Sequence, residues 1–119
     1  MLSIRKDQVD SLELSAYLNF ENRVLKYLHD NFPDLTLTAN EDHIREEIRY
    51  GVQITDEYDF MTERDISKFI YFIIYFGRNF DIDPNLEWLT KIISDLQIPA
   101  ETRLNQAFDL LSEKTEDNN

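Results

Sequence analysis

The chain has 119 residues, of which 42% are hydrophobic and 13% aromatic, enough to bury one core in one domain. Its 24 acidic residues outnumber 12 basic ones, and a net charge of -12 repels nucleic acid and anionic membranes. No cysteine is present, which excludes disulfides, thiol catalysis and cysteine-ligated metal, and two glycines and three prolines are too few for a many-stranded β domain.

In chain order, the first predicted helix runs from about Arg5 to Asn31. Val9, Leu12, Ala16, Phe20, Val24 and Leu28 recur at steps of three and four and make one apolar stripe, which Tyr17, Leu25 and Phe32 widen. Phe32-Pro33 ends the helix, because the residue before proline is pushed out of helical geometry. Asp34 to Ala39 reads as a loop or short extended piece. Asn40 is placed to cap a second helix, with Glu41 and Asp42 in its first turn, where the helix dipole favours acids. Ile44, Ile48, Val52 and Thr55 would face inward. Gly51 interrupts this pattern, which means either a close helix crossing or an early helix end.

Thr62-Glu63-Arg64-Asp65 resembles a capping box with Asp at its last position. The third helix then runs to about Phe76. Its core candidates are Ile66, Phe69, Ile70, Ile73, Ile74 and Phe76, with Tyr71, Phe72 and Tyr75 sealing the flanks. A buried strand competes for this β-branched, aromatic run, but the cap and the length favour a helix. Gly77 fits a C-terminal cap. Asp83-Pro84 starts a fourth helix that would bury Leu86, Leu89, Ile92, Ile93 and Leu96. Ile98-Pro99 breaks the chain again. A fifth helix from about Pro99 to Ser112 would bury Leu104, Ala107, Phe108 and Leu111. The expected fold is all-α, a compact bundle of about five helices around the apolar third one. Residues 1–112 form a single helical domain in this reading, and 113–119 a disordered acidic tail.

No residue set spells out a reaction. Asp81, Asp83 and Asn85 mimic the opening of a calcium loop, but Leu86 and Ile92 stand where glycine and a bidentate glutamate are needed. His29 and His43 have no metal-ligand neighbours at helical spacing and read as surface residues. Phosphate-cradling glycine loops are absent. Glu46-Glu47, Asp56-Glu57, Asp59, Glu63 and Asp65 read as solvated acids rather than a catalytic pair. The basic residues are dispersed, so no nucleic-acid footprint appears. Thr55 to Asp65 is the best candidate for contacting a basic protein partner. Asp56, Glu57, Asp59, Glu63 and Asp65 supply the charge there, with Tyr58, Phe60 and Met61 as apolar anchors. If Tyr71, Phe72, Tyr75 and Trp88 are partly exposed, a homodimer would cover them. MLSIRKDQVD has no apolar core of signal-peptide type, and the run Phe69 to Phe76 is too short to span a bilayer, so a cytoplasmic protein is expected.

Ile4-Arg5, Gln8, Phe20, Arg23, Phe32-Pro33, Ile48, Tyr50-Gly51-Val52, Tyr58 and Thr62 to Asp65 form a recognisable series. Tyr71, Phe76-Gly77, Phe80-Asp81-x-Asp83-Pro84 and Trp88 continue it. From about Ile4 to Leu111 the chain resembles small helical proteins encoded beside type VI secretion effectors and their spike-tip (PAAR) proteins. The resemblance implies an adaptor or co-chaperone that binds an effector or its loading factors, and not an enzyme; no cofactor or metal is expected from the residues. The alternative is an immunity protein that occludes the active site of a cognate toxin, which the acidity suits if that toxin is a nuclease.

Overall fold

Six α-helices and three 3-10 turns account for the ordered elements of the computed structural model, which describes residues 11–116. The helices are α1 (Ser11–Asn31), α2 (Pro33–Thr38), α3 (Glu41–Ile54), α4 (Glu63–Phe76), α5 (Glu87–Ile93) and α6 (Ala100–Glu116). Among the described residues there is no strand, and the protein is all-α. No helix among them is long and apolar enough to cross a membrane. The expected helix start at Arg5, with Val9, lies outside the described residues, as does the side chain of Leu12.

The helix starts follow the local chemistry. Asn40 accepts hydrogen bonds from the backbone N–H groups of Asp42 and His43, and Thr62 accepts one from Asp65. Each cap satisfies donors that the first helical turn leaves open. Gly77 follows α4 with φ 98°, a conformation that costs glycine little and other residues more. Asp83 caps as expected, but what it caps is a 3-10 turn at Pro84–Leu86, and α5 begins only at Glu87.

The core is built by α4 lying against α1, α3 and α6. Val24 and Leu28 come from α1, Ile44 and Ile48 from α3, and Phe69, Ile70, Phe72 and Ile73 from α4. Leu89 and Ile93 of α5 and Leu104 and Ala107 of α6 close it. Gly51 stands at the α3–α4 crossing. A Cβ there would lie 2.7 Å from Ile70 Cγ1 and 3.2 Å from Ile73 Cδ1, so the glycine is a close-approach residue, and α3 continues past it to Ile54.

Several expectations are corrected. Pro33 does not open a loop: with its fixed φ it takes the first position of α2, a short helix over Pro33–Thr38. Ala16 is exposed, off the buried stripe of Tyr17, Val24 and Leu28. Phe72 is fully buried rather than flanking, while Ile74 and Phe76 are only half-buried, because α4 turns the face of Phe69, Ile70, Phe72 and Ile73 inward. Leu96 is 60% exposed, since α5 ends at Ile93. Helix α6 runs to Glu116, so the segment expected to begin a disordered tail at Glu113 is helical up to there. Residues 117–119 lie outside the description.

Candidate functional site

Three buried polar clusters hold the helices together. Glu21 of α1 has no solvent-exposed side-chain surface. It receives Arg45 Nη1 at 2.8 Å on one carboxylate oxygen and Arg49 Nε at 2.8 Å on the other, which locks α1 to α3. Tyr17 lies against the same group, and burial, helped by the Glu21 carboxylate, pushes its hydroxyl up to about 12. Glu47 is also buried, contrary to its reading as a solvated acid. Arg78 holds it with contacts of 2.8 and 3.0 Å while its guanidinium covers the Tyr50 ring at 4.5 Å. Arg103 of α6 is buried without a carboxylate partner among the described residues. It donates to the carbonyls of Ile98, Tyr58 and Ile93 at 2.8, 2.8 and 2.6 Å and stacks over the Phe60 ring.

Arg103 thereby fixes the underside of the segment that follows α3. That segment is a 3-10 turn over Thr55–Tyr58, closed by Asp59 in the left-handed region at φ 59°, which aspartate tolerates better than most residues. The turn overhangs an open apolar groove of about 330 Å³. Phe20 of α1, Val52 of α3 and Ile66 of α4 line it with the buried Phe60 and Thr55, and the exposed Asp56 and Met61 stand at its rim.

The predicted contact residues separate here into two groups. Asp56, Glu57 and Asp59 are exposed and make no ion pair among the described residues. Met61 is 66% exposed and is the outward apolar residue of the stretch. Tyr58 is half-buried against Phe60 and Phe69; burial, then the carboxylates of Asp81 and Glu57, raises its hydroxyl above the usual tyrosine range. Glu63 is exposed but already holds Arg23 at 2.6 Å, which keeps its carboxyl below the usual glutamate range.

Phe60 and Asp65 do not belong to an exposed patch. Phe60 is 1% exposed because its ring packs on Phe69 and under Arg103. Asp65 is 6% exposed on the inner side of the first turn of α4, and its Oδ1 has no hydrogen-bond partner among the described residues. The aromatic surface expected to pair two copies is reduced in the same way. Phe72 is buried, Tyr71 and Trp88 are half-buried, and only Tyr75 is largely exposed. Phe20, Val52 and Ile66 read as core in the sequence. That they also line a groove depends on how three distant helices meet, which no local pattern encodes.

No protein-family model matches the chain, and neither a curated protein nor a solved structure is significantly similar to it.

Proposed function

We propose that this protein is a non-enzymatic binding protein that acts as an adaptor or co-chaperone for a type VI secretion effector. The observation that carries the binding role is the groove beside the Thr55–Asp59 turn, where an apolar lining meets Asp56, an acid that holds no cation among the described residues. The resemblance of the sequence to accessory proteins of that system supplies the setting. Co-expression with the effector encoded beside it tests the proposal. The effector should be more soluble and more abundantly secreted when the protein is present. Equal solubility and equal secretion without it overturn the adaptor role.

A second reading is favoured by the same acids, which hold no cation among the described residues, together with Asp81, whose charge also acts on the Tyr58 hydroxyl. Carboxylates held on a rigid turn can occupy a basic cleft in place of phosphates, as an immunity protein for a nuclease toxin would require. Survival separates the two. Immunity predicts that cells die when they make the toxin alone and live when they make both, whereas an adaptor leaves toxicity unchanged.

A further inference from the structure

The described cations of this chain are engaged within its own structure. Of the arginines described, Arg23, Arg45, Arg49, Arg64 and Arg78 each bind a carboxylate of the same chain, and Arg103 binds carbonyls. Lys26 and Lys91 pair with Asp30 and Glu87 one helical turn away, Lys68 reaches Asn105, and Lys114 lies over Trp88. Asp56, which lines the groove with Phe20, Val52, Phe60 and Ile66, and its chain neighbours Glu57 and Asp59 therefore hold no cation among the described residues. Besides the buried Arg103, a second copy of the chain offers only Lys68 and Lys114 as described lysines or arginines without a carboxylate partner, and it brings the same acidic excess, which opposes its approach. Anionic lipid and nucleic acid are repelled.

We infer that the groove takes a short segment of a protein partner in which a bulky apolar side chain lies next to arginine or lysine. The apolar side chain enters between Phe20, Val52 and Ile66, and the neighbouring cation meets Asp56 and Glu57. The inference rests on the binding role proposed above and specifies its ligand. The groove's size suits this occupant. At about 330 Å³ and open to solvent it lies at the lower limit of small-molecule pockets, roughly 300–1,000 Å³, so it accepts side chains rather than enclosing a whole ligand. Met61 at the lip is unbranched and adaptable, which lets one groove fit leucine, methionine or phenylalanine.

The test is a methyl NMR titration of the full chain, reading Met61, Val52 and Ile66. The probe is a capped peptide with two adjacent leucines flanked on both sides by arginines. Twin peptides carry glutamate for arginine or serine for leucine. The basic-apolar peptide should shift these methyls in a saturable way and bind at least about tenfold more tightly than either twin, with the preference weakened by salt. An Asp56→Lys, Glu57→Lys double variant should lose that preference while keeping its melting temperature. Met61→Glu, at an exposed position, should weaken the leucine-dependent part. No shift at the methyls of these three residues, or equal binding of the acidic twin, overturns the inference. So do shifts that appear on concentrating the protein without peptide, because they assign the groove to a second copy. If the peptides fail while co-expression still solubilises the effector, the binding role stands and only this ligand class falls. If the peptides bind and the effector is unaffected, the ligand class stands and the adaptor role falls.

Discussion

Glu21 lies in the α1–α3 seam and Asp56 in the turn that follows α3, and the chain treats their carboxylates in opposite ways. Glu21 is removed from water and given two arginines; Asp56 is left in water with no cation among the described residues. A buried carboxylate is tolerable only when it is paired and hydrogen-bonded, so Arg45, Arg49 and Arg78 are committed to the interior acids Glu21 and Glu47. The surplus acidity is then left at the surface, where the Thr55–Asp59 turn concentrates part of it. The excess of acids over bases in the composition thus overstates the solvated charge at some positions and understates the field at others.

The largest effect tests the first half of this contrast. Glu21→Ala leaves Arg45 and Arg49 without their shared partner at the α1–α3 seam. Removing one member of a buried pair costs about 3–5 kcal/mol, but both arginines retain some solvent contact, so a loss of about 2–3 kcal/mol is expected. Urea denaturation measures it. A loss no larger than that of an exposed acid would mean that Glu21 is a surface residue in practice and that the contrast fails.

Gly51→Ala probes how tightly the same seam is packed against α4. Alanine raises helix propensity by about 1 kcal/mol. Its Cβ, however, would press on Ile70 Cγ1 at 2.7 Å, and overpacking of this kind costs about 1–3 kcal/mol. A net loss of about 1 kcal/mol is expected in thermal or urea melts. A gain in stability would show that Ile70 moves aside freely and that the crossing is looser than its geometry.

The same contrast marks what was legible in the sequence. Caps and breaks at Asn40, Thr62, Gly77 and Asp83 were readable because each acts within a few residues of itself, and so was the all-α class. Gly51 was readable as a choice between two explanations, and packing decided it. Pro33 misled because one residue type both ends a helix and begins the next. Glu21, Glu47 and Arg103 were out of reach. The arginines that hold Glu21 and Glu47 lie 24 to 31 residues away and Arg103 reaches Tyr58 across 45, and a glutamate on a polar-looking helix face carries no local mark of an arginine arriving from elsewhere. Phe60 misled for the same reason. Its neighbours in the chain are acids and exposed residues, but its neighbours in space are Phe69 and Arg103. The groove required Phe20, Val52 and Ile66 to converge, and they lie on three helices.

Alkaline pH gives a gentler probe of the Glu21 cluster. Tyr17 ionises at about 12 in the folded chain against 10.0 ordinarily, because its phenolate would be desolvated and would face Glu21. The folded chain holds a proton that the unfolded chain releases. Tyr17 therefore contributes stability that is fully present below pH 10.0 and is lost as pH rises toward about 12. A Tyr17→Phe variant should lose less stability than the wild type across that window, by melts at paired pH values. Parallel pH profiles would mean that Tyr17 does not share the buried environment of Glu21.

The smallest effect belongs to the exposed turn, and its smallness is what makes it informative. Asp56→Asn together with Glu57→Gln removes two carboxylates that hold no cation among the described residues, so no pair is broken and no group is stranded. Exposed charges in this setting are worth at most about 0.5 kcal/mol. The sign should be neutral or slightly stabilising, because Asp56, Glu57 and Asp59 repel one another and Asp81 contributes to the same field at Tyr58. Any gain should shrink as salt is added, since screening removes the repulsion that the substitutions relieve. Melting curves at low and high salt measure both. A loss above about 1 kcal/mol, insensitive to salt, would mean that these carboxylates hold the fold together as Glu21 does. The turn would then be a structural element rather than a surface kept charged for a partner.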